Sequence, residues 1–170
     1  MNLELNGHVA VVTGGASGIG AACARGLEAE GCRVAIWDLS NGVDVADYDA
    51  VQAALADTEA RLGPVRHVVH AAAMGSGRFG FPFTNLEPAH WKRVLEVNIL
   101  GQVHVAQACA PGMAQRKAGT MVFIASIAGQ IGSQTDPPYS ASKAANINFA
   151  QCLAKDLAPH GVRVNTVNPG

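Results

Sequence analysis

Five short apolar runs, separated by longer amphipathic stretches, constrain the fold of this chain more than any other feature of its sequence. Short apolar runs are typical of buried strands, and the stretches between them are long enough for helices. This alternation predicts right-handed crossovers and a parallel sheet covered by helices on both faces. We therefore predict a doubly wound α/β fold of the Rossmann type, built as one domain from residues 1–170. The predicted strands are residues 9–12, 34–37, 65–69, 121–124 and 162–167.

Four helices are predicted between these strands from their capping and stop residues. Gly31 ends the first helix, because glycine adopts the left-handed backbone of a C-cap without strain. Asp47 caps the second helix, which Gly63 and Pro64 end. The predicted spans run from within residues 14–20 to 31, from 47 to about 62, from about 88 to 116, and from 139 to about 160.

The composition argues against several classes of function. With 12 Lys and Arg against 13 Asp and Glu, the chain has no basic block of the kind that binds nucleic acid or anionic membranes. The 4 Cys show no CxxC spacing and the His residues no ligand spacing, so we expect neither a metal site nor a disulfide framework. Residues 1–5 do not resemble a signal peptide, and no apolar run reaches the roughly 20 residues of a membrane span. We expect a soluble cytoplasmic protein that acts on a small molecule.

A glycine-rich segment, residues 13–20, directly follows the first predicted strand and opens the first predicted helix. Its glycines allow a sharp turn and a close approach to a pyrophosphate, whose charge is favoured by free N–H groups and the helix dipole. A glycine-rich turn without any ligand would explain the letters alone. The position between strand and helix favours dinucleotide binding, and the lack of a following Gly-Lys-Ser/Thr excludes a P-loop.

Asp38 ends the second predicted strand, roughly twenty residues after the glycines. A carboxylate there accepts hydrogen bonds from the adenosine ribose hydroxyls and repels a 2′-phosphate. No Lys or Arg occupies residues 15–17 or 39–41 to neutralise such a phosphate. An Asp at a strand end is commonly a turn residue, but its register with the glycine segment favours NAD over NADP.

A second group of residues has the composition of an acid/base site. Tyr139 and Lys143 are four apart and share one helical face, and Ser126 lies just beyond the fourth predicted strand. A phenol of reference pKa about 10 needs a drop of about 3 units, or roughly 4 kcal/mol, to act near neutrality. A neighbouring ammonium can supply that energy, and Ser126 would then hydrogen-bond the substrate oxygen. Alone, Tyr-x-x-x-Lys would indicate an exposed helix face; with the glycine segment it indicates catalysis.

Together these motifs resemble the classical short-chain dehydrogenase/reductase family over essentially all 170 residues. The resemblance implies that Tyr139 is the general acid/base, that Lys143 lowers its pKa and binds the nicotinamide ribose, and that Ser126 orients the carbonyl. It also implies that Asn98 supports a proton-relay water, a role that the residues alone do not suggest. The implied cofactor-binding residues are Gly14, Ser17, Gly18, Ile19, Gly20, Asp38, Asp44, Val45, Ala71, Ala72, Tyr139, Lys143, Pro169 and Gly170.

The chain departs from the family pattern in three places. His70-Ala71-Ala72-Ala73 stands where the family usually has Asn-Asn-Ala-Gly, and we expect His70 to replace a structural hydrogen bond. Few residues separate Asp38 from Asp44, so we expect an abbreviated third strand. Beyond Gly170 we expect the chain to lack the family's substrate-covering segment and last strand. Phe79, Phe81 and Phe83 would form either an apolar pocket wall or part of the core or an interface.

Three functional hypotheses follow. The leading one is an NAD-dependent oxidoreductase acting on a modest, mainly apolar secondary alcohol or ketone. The alternative is a dinucleotide-binding or regulatory protein without turnover. A third is an assembly module, because the two long predicted helices are suited to pairing across a two-fold axis in a homo-oligomer, a tetramer or a dimer.

Overall fold

A parallel sheet of five strands forms the centre of the computed structural model, which describes residues 3–170. The strands are β1 (Val9–Thr13), β2 (Arg33–Trp37), β3 (Val65–His70), β4 (Gly119–Ile124) and β5 (Val162–Val167). They lie in the order β2-β1-β3-β4-β5. The predicted doubly wound α/β fold is confirmed, and each predicted strand is found to within two residues of its expected ends. Met1 and Asn2, part of the stretch compared above with a signal peptide, lie outside the described residues.

The predicted helices are also present. The α-helices are α1 (Gly18–Ala29), α2 (Tyr48–Leu62), α3 (Ala89–Leu95), α4 (Gly101–Gln115), the short α5 (Ala128–Ile131), which was not predicted, and α6 (Pro137–Leu157). A π-helical turn, Glu96–Leu100, joins α3 to α4, so together they form the long helix expected from 88 to 116. Gly31 has the expected positive φ of 84°, and Asp47 caps α2 through the N–H groups of Asp49 and Ala50. Within residues 3–170, no helix is both long and apolar enough to cross a bilayer.

The main core lies between one face of the sheet and helices α2, α4 and α6. Val11 and Phe123 from the sheet and Val105 and Met113 from α4 are completely buried there. Because side chains alternate along a strand, Ala10 and Val12 point to the opposite face, where α1 packs on β1 and β2. Each buried valine, phenylalanine or methionine contributes about 1.5–3 kcal/mol, so this packing holds the helices against the sheet.

The expected third strand between Asp38 and Asp44 is absent from the described segment 38–48, and this prediction was wrong. A 3₁₀ turn, Leu39–Asn41, takes its place. The Asp38 carboxylate accepts the Ser40 N–H at 3.0 Å, while the Asn41 side chain donates to Ile36 O at 2.9 Å. These local bonds occupy backbone groups that a further strand would use, so β2 forms the edge of the sheet.

The chain leaves all five strands at the same edge of the sheet, because every neighbouring pair is parallel. β1 has β2 on one side and β3 on the other, so the connections on the two sides of β1 run in opposite directions. This reversal opens a crevice beyond the carboxyl ends of the strands, which is where open α/β sheets bind their ligands.

Candidate active site

A cleft of about 690 Å³ lies at this carboxyl edge and brings together nearly all of the predicted site residues. The predicted residues that line it are Gly14, Ser17, Gly18, Ile19, Gly20, Asp38, Asp44, Val45, Ala71, Ala72, Ser126, Tyr139, Lys143, Pro169 and Gly170. The exception is Asn98, which is fully buried beneath the cleft lining. Residues far apart in sequence thus share one cavity, as the motifs predicted.

The glycine segment between β1 and α1 has the shape needed to receive a pyrophosphate. Gly14 has a φ of 64°, and a Cβ there would lie 2.8 Å from the backbone of Ala72. Gly18 has a φ of 53° with open space around it. Ser17, the N-cap of α1, makes no side-chain capping bond, and the first turn of the helix carries no acidic residue. The first N–H groups of α1 are therefore available to an anion, and the residues present fit a dinucleotide.

Asp38 connects the end of β2 to the glycine segment. Its Oδ2 accepts the Ala16 N–H at 3.2 Å, and its Oδ1 accepts the N–H and the hydroxyl of Ser40 at 3.0 and 2.8 Å. The Ser40 N–H is the main reason that the pKa of Asp38 lies below its ordinary value. The carboxylate is thus ionised and held at the rim of the cleft, with lone pairs left for ribose hydroxyls.

The cleft also holds an ion pair that the sequence did not reveal. Arg93 donates to Asp44 Oδ2 at 2.6 Å, and the Ala46 N–H donates to Asp44 Oδ1 at 2.9 Å. Burial alone would raise the pKa of Asp44, but these two bonds and the charge of Arg93 together lower it. Arg93 and Val97 both line the cleft. The sequence signal that could have placed both residues on the cleft side was their four-residue spacing on a predicted helix.

Lys143 is a buried cation beside the phenol of Tyr139. Its side chain is 2% exposed, and its Nζ donates to Ile124 O at 2.7 Å. Nζ lies 5.5 Å from the centre of the Tyr139 ring. Burial lowers the pKa of Lys143 to about 8. Lys143, Tyr139 and Ser126 all line the cleft, so the predicted acid/base group is assembled in one cavity.

Asn98 lies in the π-helical turn between α3 and α4, and its side chain braces the cleft from below. Its Oδ1 accepts the Met74 N–H at 2.8 Å, and its Nδ2 donates to Met74 O at 2.8 Å and to Ser142 Oγ at 2.9 Å. Ser142 in turn donates to Tyr139 O at 2.7 Å. One extra residue in a helical turn re-aims a side chain, and such turns occur frequently at functional sites. Asn98 therefore connects the cleft wall at Met74 to the helix that carries Tyr139.

Ser126 follows β4 in a loop that is fixed on both sides. Its Oγ accepts the Ala128 N–H at 3.1 Å, which leaves its hydroxyl proton for another acceptor. The Ala125 N–H donates to Val167 O at 2.8 Å, and the Ile127 N–H donates to Pro169 O at 3.0 Å. The loop of Ser126 and the segment ending at Gly170 thus support each other along the cleft.

His70 makes a structural hydrogen bond, as expected. Its Nδ1 lies 2.9 Å from Thr13 Oγ1, which itself accepts the N–H groups of Ala71 and Ala72 at 3.2 Å each. Burial, and then the charge of Lys143, lower the pKa of His70 to about 3. A neutral imidazole thus holds the chain that follows β3 against the end of β1.

Comparisons with known proteins agree with this geometry. A family model described as short chain dehydrogenase matches residues 39–170. An acetoacetyl-CoA reductase of Synechocystis sp. is 40% identical over 100% of this chain and 74% of its own length. A 2-dehydro-3-deoxy-L-rhamnonate dehydrogenase (NAD(+)) of Sphingomonas sp. is 35% identical over 96% of this chain and 71% of its own. The crystal structure of an NAD+-bound xylitol dehydrogenase superimposes with a TM-score of 0.92 at 30% identity, covering 98% of this chain and 71% of that one.

Proposed function

Because this chain belongs to the short-chain dehydrogenase family, we propose that it is an NAD(H)-dependent oxidoreductase that transfers a hydride between nicotinamide and a secondary alcohol or ketone. The observation that carries the proposal is the shared cleft. It combines an anion-binding helix start, the Asp38 carboxylate, and the group formed by Tyr139, Lys143 and Ser126. Oxidoreductase chemistry is common to the family, whereas the cofactor preference and the roles of these residues are our proposals.

In the proposed mechanism, the phenol of Tyr139 exchanges a proton with the substrate oxygen. The hydroxyl of Ser126 donates a hydrogen bond to that oxygen and holds it in place. The ammonium of Lys143 stabilises the phenolate form and offers its remaining protons to ribose hydroxyls. Asn98 keeps Met74 and the helix of Tyr139 in position. A bound nicotinamide dinucleotide supplies or accepts the hydride.

Our preference for NAD over NADP rests on Asp38. Its carboxylate, with a lowered pKa, lies where the adenosine ribose is expected and would repel a 2′-phosphate. Arg93, the other charged group of the adenosine end, is already paired with Asp44. The similar proteins include a 2-dehydro-3-deoxy-L-rhamnonate dehydrogenase (NAD(+)) and an NAD+-bound xylitol dehydrogenase, which agrees with this preference.

The substrate is proposed to be a modest, mainly apolar alcohol or ketone. Met74 lines the cleft and is 38% exposed, and the three phenylalanines at positions 79, 81 and 83 are exposed on the following segment. Met74 belongs to the cleft wall, whereas the phenylalanines lie outside the cleft lining and add an exposed apolar surface to the segment that follows it. The compounds named for similar proteins, acetoacetyl-CoA and xylitol, are suitable first probes.

The test uses NADH that carries deuterium at both C4 hydrogen positions of the nicotinamide. Incubation with a panel of ketones that includes acetoacetyl-CoA is expected to give an alcohol with deuterium on the carbinol carbon. Fluorescence titration with NADH accompanies the assay. Saturable NADH binding with no deuterium transfer to any ketone, and no NAD+ reduction with xylitol or other alcohols, would support the non-catalytic alternative instead.

We also propose a homo-oligomer, a dimer or a tetramer, formed through α4 and α6. A groove between these helices is lined by small and apolar side chains, among them Ala106, Ala110, Phe149 and Leu153. Sedimentation equilibrium is expected to give a mass at least twice that of the chain, and a monomer at micromolar concentration would contradict this. The cytoplasmic location expected from the sequence stays a prediction.

A further inference from the structure

Residues 74–84, which we call the substrate-side segment, begin at the cleft wall and are tied to the start of α6. The Ser76 N–H donates to Asp136 Oδ2 at 2.9 Å, and the Gly80 N–H donates to Thr135 O at 2.8 Å. Gly75 comes so close that a Cβ there would lie 2.6 Å from Asp136 Oδ2. The position of this segment is thus set by the two residues that precede α6.

Asp136 also caps the helix that carries Tyr139. Its Oδ1 accepts the Tyr139 N–H at 3.3 Å. Pro137 and Pro138 have no N–H, so Tyr139 carries the first N–H group of the helix. One oxygen of the carboxylate therefore holds the backbone of Tyr139, and the other holds Ser76 in the substrate-side segment.

We propose that Asp136 is a positioning residue that fixes the phenol of Tyr139 relative to the substrate-side segment. This inference rests on the proposed function, because it assigns Asp136 to the same reaction. A substrate seated against Met74 and the following residues would meet a phenol whose backbone is anchored to that same wall. We call the two bonds of the Asp136 carboxylate, to the N–H groups of Ser76 and Tyr139, the link. Its loss is expected to lower turnover and to leave cofactor binding unchanged, because the glycine segment and Asp38 are held by other bonds.

The test variant is Asp136→Ser, which separates capping from the link. Serine is as good an N-cap as aspartate, but its single short hydroxyl does not bond both N–H groups. With acetoacetyl-CoA and NADH, kcat per NADH-binding site is expected to fall by about 10-fold or more, toward the ~100-fold that a 1 Å misplacement costs. The Kd for NADH is expected to stay within about twofold, because neither Asp136 nor Ser76 lines the cleft.

Asp47→Ser is the matched control. Asp47 caps α2 by accepting the N–H groups of Asp49 and Ala50 at 3.0 and 3.2 Å, and it takes no part in the cleft. The same substitution there changes a helix cap without touching the link. Its kcat per NADH-binding site is expected to equal that of the wild type.

Gly75→Ala breaks the same link by a change in the substrate-side segment, because the added methyl would displace Asp136 Oδ2. It is expected to reduce kcat like Asp136→Ser, and the double variant is expected to be no slower than the slower single variant, because both cut one link. Gly26→Ala on α1, where an added Cβ meets open space, is the control for a glycine replacement.

Amide hydrogen exchange gives a readout that does not depend on activity. Exchange at residues 75–80 is expected to quicken in Asp136→Ser and to be unchanged in Asp47→Ser. Wild-type kcat per binding site in Asp136→Ser, unchanged exchange of that segment, or losses that multiply in the double variant would each overturn the proposal. If the wild type turned over no ketone or alcohol, the proposed function would fail, and the exchange measurement would still decide whether the link exists.

Discussion

Replacing Lys143 tests the electrostatic part of the mechanism most quantitatively. Its Nζ lies 5.5 Å from the centre of the Tyr139 ring, and its side chain is 2% exposed. If the ring centre is taken as the position of the delocalised phenolate charge, unit charges at that separation attract by about 3 kcal/mol at an effective dielectric of about 20. That energy corresponds to about 2 pH units in a titration. Lys143→Met removes the charge and keeps a flexible side chain of similar length.

In Lys143→Met, the midpoint of the rise of alcohol oxidation with pH is expected to move upward by about 2 units. At a fixed pH below the midpoints of both proteins, kcat of Lys143→Met is expected to be about 100-fold lower than that of the wild type. Steady-state rates of NADH formation with saturating alcohol, measured across a pH series, report both quantities. Lys155→Met, at an exposed position of the same helix, is the matched control and is expected to keep the wild-type profile.

The pH dependence of NADH affinity tests the charge of Lys143 independently of the reaction rate. Burial lowers the pKa of Lys143 to about 8, so the group is an ammonium below that pH and a neutral amine above it. The affinity of the wild type for NADH is therefore expected to weaken as the pH rises through 8, while that of Lys143→Met stays flat over this range. A rate midpoint that does not move in Lys143→Met, together with the same NADH affinity profile as wild type, would refute the electrostatic argument.

Three further predictions concern cofactor choice, the adenosine end and acid stability. Asp38→Ala is expected to raise the NADPH/NADH ratio of kcat/KM by about 10-fold, since one like charge is removed; a wild type that already prefers NADPH would contradict this. Arg93→Met is expected to raise the Kd for NADH about two- to fivefold, which corresponds to the free energy of a half-exposed ion pair. An unchanged Kd in isothermal titration would show that Asp44 needs no partner. His70 binds a proton when the chain unfolds but not when it is folded, because its folded pKa is about 3. Stability is therefore lost as the pH falls below about 6.5, by about 2 kcal/mol at pH 5. Between pH 7 and pH 5, the free energy of unfolding of His70→Asn, measured with urea, is expected to fall by about 2 kcal/mol less than that of the wild type. Equal decreases in the two proteins would show that His70 is not responsible.

Much of the fold could be predicted because local signals and tertiary packing agree. The apolar runs became β1 to β5, and Gly31, Asp47 and Gly63 end or begin helices where their backbone and side-chain chemistry requires it. The absent third strand shows the limit of this reasoning. A short spacer between Asp38 and Asp44 indicated a reduced strand, but the side-chain bonds of Asp38 and Asn41 to nearby backbone groups favoured a 3₁₀ turn.

The candidate site was predictable where a motif fixed the residue type and the spacing, as for Tyr139 and Lys143. Residues that act through tertiary contacts left weaker signals. The role of Asn98 depends on a π-helical turn that no local pattern announced, and its partners Met74 and Ser142 are far away in sequence. The double role of Asp136 likewise required the position of Ser76, which no local pattern places beside it.

The most direct test of the account is the comparison of Tyr139→Phe with the wild type in one experiment that measures both NADH affinity and single-turnover ketone reduction. The phenyl ring keeps the shape of the side chain and removes the hydroxyl that exchanges the proton. With Tyr139 as the acid/base, the variant is expected to have an NADH Kd close to that of the wild type and a rate lower by at least about 100-fold, the usual contribution of general acid/base catalysis. A Tyr139→Phe protein that reduces the ketone at the wild-type rate would contradict it.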